Sequence, residues 1–455
     1  MVFIPHTDEE RCEMLQAIGL TDMAALFQDV PEAYRYPDLG LPAPLSEMEV
    51  LQELRYLADL NMDATTAPMF LGAGAYRHWV PSVVDAIISR GEFATAYTPY
   101  QPEVSQGTLQ AIFEYQSLIC DLTGMDVANA SHYDGATAAA EAVIQAYNVF
   151  RKKRTRVVLS PTLHPHTRAV IRTYTQGMGL DIVGDDDVTM PFEQWLSLVD
   201  GNTACVLLQT PNFLGELEPL DVLLPQLRAQ DPEALIAVAV NPLSLGLFKS
   251  PGEYGADIVF GEGQPLGLGL AFGGPYLGFY ATREKHVRLM AGRVVGQTTD
   301  MEGRRAYVMT LTTREQHIRR EKATSNICTN QGLMVLAATV YLSALGKHGL
   351  RQVAELNYHK AHYAADLLDQ IPGFTVRRDK PFFNEFVVQC PAPVAEINDF
   401  LLDGMEDVSI IGGYDLAQAY PALENAMLVA VTEVCTRDDI EMLAEALTAF
   451  TNLGE

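Results

Sequence analysis

The sequence predicts a mainly parallel, doubly wound α/β sheet followed by a smaller α+β domain. Between about 125 and 282, short apolar runs of strand length alternate with helical stretches, as in a parallel sheet covered on both faces. After helical segments around 313–349, further strand-like runs are mixed with helices, as in a compact α+β domain. With 455 residues, 48% of them apolar, the chain is long enough for one large core and a second, smaller one.

The chain begins with a segment of different character. Residues 1–60 alternate amphipathic helices, predicted at 8–18 and 46–61, with the Pro-rich connection VPEAYRYPDLGLPAP, and we interpret them as an arm that wraps a larger body. The predicted strands of the sheet are TRVVLS at 155, TACVLLQT at 203, LIAVAV at 235, ADIVF at 256 and YLGFYAT at 276. We expect the large domain to cover 61–345, with the apolar run near its end as the bridge to the second domain.

The small domain is predicted over 346–455. Its strand-like runs are FTVRR, NEFVVQC, VSIIGG and AMLVAVTE, and its helices are predicted at 350–370, 395–403 and 437–452. The mixture of short strands and helices is typical of an α+β domain.

Composition excludes several classes of function. Acidic residues outnumber basic ones by 58 to 31, which argues against nucleic acid or an anionic membrane as a partner. The longest apolar run, 333–345, is too short to span a bilayer and predicts a buried helix. The N-terminus, MVFIPHTDEER, has no basic start or cleavage site for export, so we expect a cytoplasmic protein. The six cysteines form no C-x-x-C pair, and no metal site is predicted.

Two segments carry candidate binding residues. Residues 97–107 crowd polar and aromatic groups around two prolines, which suits a rigid loop that presents side chains to a ligand; a plain turn rich in tyrosine is the alternative. The candidates in this loop are Tyr97, Thr98, Tyr100, Gln101, Glu103, Ser105 and Gln106. Gly135 and Thr137 open a helix of small residues whose N–H groups and hydroxyl would suit a phosphate, although many ordinary helices begin in the same way.

Five segments, taken in order, closely resemble the P-protein of the glycine cleavage system. They are LGAGAYRHWVP at 71, the loop at 97–107, NASHYDGATAAAEA at 129, GADIVFGEGQPLGLGLAFGGPYLGF at 255 and REKATSNICTNQGL at 320, and the resemblance covers nearly the whole chain. Members of that family occur as one long polypeptide with two homologous halves or as two separate subunits. At this length the chain resembles the N-terminal half, the first subunit.

The resemblance implies the pyridoxal-phosphate-dependent transferase fold of the aspartate aminotransferase type, fold type I, in a heterodimer that pairs with a second heterodimer. It also implies glycine decarboxylation, with transfer of the aminomethyl group to the lipoyl arm of H-protein. Because each subunit of such a dimer lends residues to its neighbour's pocket, we expect Tyr97 and Tyr100 to wall the glycine and the ring of the pyridoxal phosphate held by the second subunit. Thr324, Ser325 and Asn326 would contact the phosphate of that cofactor.

Two positions predict that this chain does not itself anchor the cofactor. Set against the cofactor-binding half of the family, Gln264 stands at the position of the Schiff-base lysine, eleven residues before Pro275, and a carboxamide cannot form an imine. Asn241 follows LIAVAV, where the fold usually supplies an aspartate to keep the pyridinium nitrogen protonated. The residues that we interpret as remnants of a cofactor site are Gln264, Asn241, Gly135, Thr137 and His166.

His164 and His166 follow TRVVLS, about where related folds present a ring-stacking residue. Two other interpretations stay open for the chain as a whole. One is a purely structural scaffold subunit with no residue in any pocket. The other is an independent pyridoxal-phosphate enzyme that uses Lys249 or Lys322.

Overall fold

A computed structural model describes residues 6–403 and 408–453. The first five residues of the N-terminal segment MVFIPHTDEER, in which no export signal is predicted, lie outside the described residues. Contacts between Cα atoms group the chain into two units, 1–62 and 63–455. The first unit contains α1 (Asp8–Ala17) and α2 (Glu47–Asp59). Each begins with a capping box, in which Thr7 and Ser46 cap the free N–H groups, so the helix starts follow from local sequence. The domain boundaries predicted at 60 and 345 stay predictions.

The second unit is built on a seven-stranded sheet in the order β1-β7-β6-β5-β4-β2-β3. Strands β2 to β6 run parallel to their neighbours, whereas β7 is antiparallel to β6 and β1 is antiparallel to β7. The strands are β1 (Val127–Ala128), β2 (Arg156–Leu159), β3 (Asp181–Val183), β4 (Thr203–Thr210), β5 (Leu235–Val240), β6 (Ile258–Glu262) and β7 (Gly278–Thr282). The predicted mainly parallel sheet is confirmed.

Both faces of this sheet are buried, which explains why its strands are continuous apolar runs. Along β5, Ile236 and Val238 belong to the core on one face, and Leu235 and Ala237 to the core on the other. The helices of this region are α3 (Ser82–Ile88), α4 (Gly91–Ala94), α5 (Gln106–Thr123), α6 (Gly135–Val149), α7 (Pro165–Thr175), α8 (Phe192–Leu196) and α9 (Leu220–Gln230). Side chains of α5 and α9 complete the first core, and those of α6 and α7 complete the second.

An antiparallel hairpin and a long helix follow the sheet. The hairpin is β8 (Val294–Thr299) with β9 (Arg305–Thr310), and α10 (Gln316–Arg319) precedes α11 (Gly332–Leu368). By length and composition alone, α11 is apolar enough to cross a membrane. Its first half, however, buries Val335 and Tyr341 in the core of the large sheet, and Gly346, with φ of 59°, interrupts the helix. We therefore describe it as a core helix, which agrees with the buried helix predicted at 333–345, whereas the kink at Gly346 was not predicted.

The C-terminal part forms a second, antiparallel sheet in the order β10-β11-β13-β12. Its elements are β10 (Thr375–Val376), β11 (Glu385–Gln389), α12 (Val394–Asp403), β12 (Tyr414–Asp415), β13 (Ala426–Ala430) and α13 (Arg437–Leu453). A separate core, which includes Leu368, Phe386 and Ile397, lies between this sheet and the helices. The predicted α+β character is confirmed.

Some predicted elements are wrong. VSIIGG does not form a ladder strand, because Ile411 makes only an isolated bridge to Met69 and its neighbours are irregular. Within the helical region predicted at 313–349, the part before Gly332 forms only the four-residue α10 and short 3-10 helices, and Gly346 interrupts the long helix that follows. The β8–β9 hairpin and β3 were not predicted.

Candidate functional site

A cleft of about 590 Å³ opens at the carboxyl ends of β4, β5 and β6. Open α/β sheets bind ligands at this edge, because the connections that follow the strands diverge there. The cleft is lined by the segment from Ala73 to Tyr76 and by the start of α7. It is also lined by Asn384 and Glu385, at the start of β11 in the second sheet. Three of the five residues interpreted as remnants of a cofactor site line this cleft, namely Gly135, His166 and Asn241, and His164 lines it with them. Gln264 and Thr137 are not among its lining residues.

Gln264 is held inside the protein by its own hydrogen bonds. The side chain is 0% exposed. Its Nε2 donates to the carbonyl oxygens of Tyr76 and Leu268, both at 2.8 Å, and its Oε1 accepts from the Tyr76 N–H at 3.1 Å. Every polar atom of this carboxamide therefore has a protein partner, as a buried amide requires. Gln264 ties the segment around Tyr76 to the loop after β6 and offers no amine for covalent chemistry.

Asn241 is committed to the turn that follows β5. Its Oδ1 accepts from the Leu243 N–H at 3.0 Å, and its carbonyl oxygen accepts from the Ser244 hydroxyl at 2.7 Å. The residue lines the cleft but carries no charge. It could not supply the negative charge that keeps a pyridinium nitrogen protonated.

The start of α6 is already satisfied by carboxylates. Asp134 caps the helix by accepting from the Thr137 N–H at 2.7 Å, and Glu262 Oε2 accepts from the Gly135 N–H at 2.9 Å. Thr137 turns its hydroxyl back to the Asp134 carbonyl at 3.0 Å. A Cβ at Gly135 would lie 2.7 Å from the Glu262 nitrogen, so this close approach of helix to strand requires glycine. A phosphate at this helix start would face the carboxyl groups of Asp134 and Glu262. The predicted phosphate cradle therefore does not suit a phosphate.

Burial raises the pKa of Glu262 to about 7, although the N–H groups of Gly135, Leu277 and Gln264 favour its charged form. Its Oε2 also occupies the Gly135 N–H, one of the donors that a phosphate at this helix start would need. The residues at the cofactor position of this chain therefore do not fit pyridoxal phosphate: the amine, the ring-nitrogen counter-charge and the anion cradle are each replaced.

The two histidines at the cleft differ in their environments. His164 Nε2 donates to the Ala73 carbonyl at 2.8 Å, and its Nδ1 accepts from the His166 N–H at 3.1 Å. Burial is the main cause that lowers the pKa of His164 to about 4, so the ring is neutral with its proton on Nε2. Its edge packs on Phe213 with ring centroids 4.7 Å apart. His166 is exposed. His164 is thus a fixed wall of the cleft.

The loop at 97–107 presents some of its predicted residues to solvent and commits others to the fold. Tyr97 is 72% exposed, and Gln101 and Glu103 are also exposed. Tyr100 is anchored: its hydroxyl accepts from Arg293 Nη2 at 2.9 Å.

Gln106 is wholly structural. Its side chain bonds the N–H and the carbonyl of Tyr307, both at 2.9 Å, which ties the start of α5 to β9. Ser105 is half-buried at the N-cap of α5. Thr98 lines a hollow of about 130 Å³ with Tyr97 and Asn330, and its buried Oγ1 has no partner among the described residues. Only part of the predicted contact set is free to meet another molecule.

The predicted Thr324-Ser325-Asn326 turn is divided between two cavities. Thr324 and Ser325 line a small cavity beside Arg293, whereas Asn326 lines a pocket of about 350 Å³ with Glu141. The Ser325 hydroxyl donates to Glu141, whose pKa burial raises to about 7. The Ser325 hydroxyl is thus already bonded to a residue of this chain.

Several residues of the site were missed in the sequence. Glu141 is the one charge in the small-residue run GATAAAEA, a signal that was available. Arg293 is 4% exposed, pairs with Glu315 at 3.3 Å and holds Tyr100, but nothing in its local sequence shows those partners. Glu385, the first residue of β11, accepts from the Tyr76 hydroxyl at 2.7 Å. Among the described residues, no group of three His, Cys, Asp or Glu side chains converges as metal ligands would.

The comparisons with known proteins agree with one another. The sequence profile of the family described as "Glycine cleavage system P-protein" matches residues 1–447. The probable glycine dehydrogenase (decarboxylating) subunit 1 of Thermomicrobium roseum is 52% identical over 459 residues, with 99% of this chain and all of that protein covered. The corresponding protein of Desulforamulus reducens is 50% identical over the same shares.

A crystal structure of glycine decarboxylase (P-protein) of the glycine cleavage system, in inhibitor-bound form, superposes with a TM-score of 0.88 at 44% identity, over 99% of this chain and 100% of that one. A Thermus thermophilus aspartate aminotransferase superposes at 0.55 with 15% identity, over 85% of this chain and 99% of that one, and shows the fold alone. The pyridoxal-phosphate-dependent fold of type I, predicted from the resemblance, is confirmed.

Proposed function

The chain belongs to the glycine cleavage system P-protein family, and from this we propose that it is subunit 1 of a two-subunit glycine dehydrogenase (decarboxylating) that anchors no pyridoxal phosphate itself. In this proposal the chain completes an active site whose cofactor is held by subunit 2. Two such heterodimers pair in the cytoplasm, glycine is decarboxylated, and the aminomethyl group passes to the lipoyl arm of H-protein.

The observation that carries the proposal is the state of Gln264. At the position where the cofactor-binding half of the family has its lysine, this chain has a carboxamide that is 0% exposed and makes three hydrogen bonds to backbone atoms. When bound to subunit 2, pyridoxal phosphate supplies the electron sink that decarboxylation needs. The residues of this chain serve that site from outside, by positioning and by excluding water.

Tyr97 is the side chain best placed for that role. Its ring is 72% exposed, whereas its neighbour Tyr100 is held by Arg293 and packs edge-on against His317 with ring centroids 5.8 Å apart. A rigid loop that leaves one tyrosine ring free suits a wall for a ligand on a facing subunit. Tyr100 and Arg293 hold the loop, and Tyr97 meets the substrate or the cofactor ring.

The independent-enzyme alternative would need another amine. Lys249 is exposed, and its Nζ lies 4.3 Å from the centroid of the Tyr254 ring. Lys322 is exposed at the end of a short 3-10 helix, Arg320–Lys322. Both lie outside the cleft at the ends of β4 to β6, as far as the structure describes the chain. Neither has the environment that makes a lysine a Schiff-base former, namely burial beside another cation or in an apolar pocket.

The decisive experiment is reconstitution. The chain and its second subunit are purified separately, and glycine decarboxylation with lipoyl H-protein is measured for each alone and for the mixture. We expect activity only in the mixture, a borohydride-fixed chromophore only on the second subunit, and one complex of both chains on sizing. Turnover or a stoichiometric, reducible chromophore in this chain alone would contradict the proposal. If the mixture is only as active as the second subunit alone, this chain contributes nothing to catalysis, and the interpretation as a purely structural scaffold subunit is supported.

A further inference from the structure

Two glutamines of α5 pair with the β8–β9 hairpin in the same way. Gln106 Oε1 accepts from the Tyr307 N–H, and its Nε2 donates to the Tyr307 carbonyl, both at 2.9 Å. Gln116 makes the same two bonds to Val295, also at 2.9 Å. A two-stranded ribbon leaves alternate backbone groups free along both outer edges, so each carboxamide takes the place of a neighbouring strand at one edge. The hairpin is therefore fixed to α5 at two points.

Gln106 differs from Gln116 in a third bond, which reaches into the loop at 97–107. Its Nε2 also donates to the Pro102 carbonyl at 2.8 Å. Gln116 lies about 15 Å further along α5, and in the described part of the chain its carboxamide bonds Val295 alone. Gln106 thus joins the hairpin to the loop, whereas Gln116 joins the hairpin only to the helix.

The loop has few other attachments. No backbone hydrogen bond among the described residues joins 97–104 to another element. Pro99 is buried, and the Tyr100 hydroxyl accepts from Arg293, the residue before β8, at 2.9 Å. Both side-chain attachments of the loop therefore lead to the hairpin, one at the start of β8 and one in β9.

The position of Tyr97 depends on these attachments. Its ring is 72% exposed, and the centroid lies 6.5 Å from that of the Tyr100 ring. Tyr100 and Pro102 follow Tyr97 closely in the chain, so a shift where the loop is fastened moves Tyr97 as well. A misplacement of about 1 Å at a reacting site can lower the rate about 100-fold.

We propose that Gln106 is a positioning residue for the reaction of the assembled enzyme: by fastening Pro102 to the hairpin, it sets where Tyr97 meets the pocket of the second subunit. Its carboxamide acts through the loop and not on the substrate, because both of its polar atoms are bonded within this chain. The inference rests on the proposed function and adds the residue that fixes the shared wall.

Matched variants separate positioning from folding. Gln106→Met and Gln116→Met each remove two hydrogen bonds to the hairpin and keep a side chain of similar size, but only Gln106→Met also releases Pro102. Gln116 is 7% exposed and Gln106 is half-buried, so Gln116→Met should lower the melting temperature at least as much.

The activities of the reconstituted enzymes should follow the opposite order. We expect kcat/KM for glycine to fall about tenfold with Gln106→Met and to stay unaltered with Gln116→Met, while both variants form complexes of the normal size. Normal kcat/KM with Gln106→Met, or equal losses in the two variants, would overturn the proposal.

A double-mutant cycle tests whether Gln106 acts through Tyr97. The values of kcat/KM are compared for Gln106→Met, Tyr97→Ala and the double variant. If Gln106 serves to place the Tyr97 ring, Gln106→Met should cost nothing further once that ring is absent. A loss of about tenfold that persists in the Tyr97→Ala background would contradict the proposal.

Hydrogen exchange in the isolated chain gives a readout that does not depend on activity. The amides of Val104 and Ser105 donate within the loop. They should exchange about tenfold faster in Gln106→Met and at the unaltered rate in Gln116→Met, because only the first variant frees the loop. Equal exchange in both variants would overturn the proposal. Failure of the proposed function looks different: the unaltered mixture would then be no more active than the second subunit alone.

Discussion

At the scale of single residues, Gln264 shows why restoring one lysine should not restore a cofactor site. Gln264→Lys would place an ammonium group near the carbonyls of Tyr76 and Leu268 and leave the Tyr76 N–H without its acceptor, which costs about 1–3 kcal/mol of stability. Asn241 and the carboxylates at α6 would remain. We expect this variant to stay colourless after incubation with pyridoxal phosphate and borohydride, and to show no glycine decarboxylation without subunit 2. A stoichiometric chromophore would show that the amine alone is sufficient.

Tyr97 tests the shared site itself. Because its ring is 72% exposed, Tyr97→Ala should leave the chain folded and assembled but lower kcat/KM of the reconstituted enzyme about 100-fold, about 2.7 kcal/mol of transition-state binding. The control is Tyr363→Ala, which removes another partly exposed ring that bonds Glu441 on α13. Steady-state decarboxylation and sizing separate the outcomes. Normal turnover by assembled Tyr97→Ala would favour the scaffold interpretation.

Tyr100 is a less direct probe of the same loop. Tyr100→Phe would remove the hydroxyl that accepts from the buried Arg293, so a loss of activity would combine local unfolding with any lost ligand contact. For that reason Tyr97 and not Tyr100 decides whether this loop reaches the partner's site.

At the scale of elements, the bond between Ser325 and Glu141 joins the 324–326 turn to α6 across 184 residues of sequence. Ser325→Ala would leave the buried Glu141 without its donor, and we expect a loss of about 1–3 kcal/mol in the free energy of unfolding. Urea denaturation measures it. Thr324→Val, a change of similar size one residue earlier, serves as the control and should cost less. Equal losses would mean that the turn is held by packing and not by this hydrogen bond.

At the scale of the whole molecule, buried carboxyl groups make stability depend on pH. Burial raises the pKa values of Glu141, Glu262 and Glu385 to about 7, above the usual value of 4.5. The folded state therefore binds more protons than the unfolded state in this range, and the stability these groups contribute is present below pH 4.5 and lost as pH rises through about 7. His132 and His164, whose pKa values burial lowers to about 3 and about 4, act in the opposite direction.

A variant isolates one of these contributions. Glu141→Gln cannot lose a proton, so its stability relative to the unaltered chain should increase steadily between about pH 4.5 and pH 7. Urea midpoints at several pH values give the difference directly. A difference that does not change with pH would show that Glu141 titrates alike in the folded and unfolded states.

The sequence by itself determined the order and kind of most elements in the main sheet. TACVLLQT and LIAVAV are apolar on both faces because helices cover both faces of the sheet. A continuous apolar run can be recognised in each segment by itself, without knowing the rest of the chain. The absence of a lysine at position 264 is equally local. VSIIGG was wrongly predicted as a strand because its local composition is that of a strand. Whether a segment pairs in a sheet depends on its neighbours in space, and here Ile411 bridges only Met69.

Only the tertiary structure decided which side chains meet. Glu262 reaches Gly135 from 127 residues away, and Glu385 reaches Tyr76 from 309 residues away. These contacts turn a predicted phosphate cradle into a cleft lined by carboxyl groups, and none carries a periodic or compositional signal in the chain. The physical reason is that a hydrogen bond depends on positions in space to within a few tenths of an ångström, whereas hydrophobic periodicity depends only on which face of one element is buried.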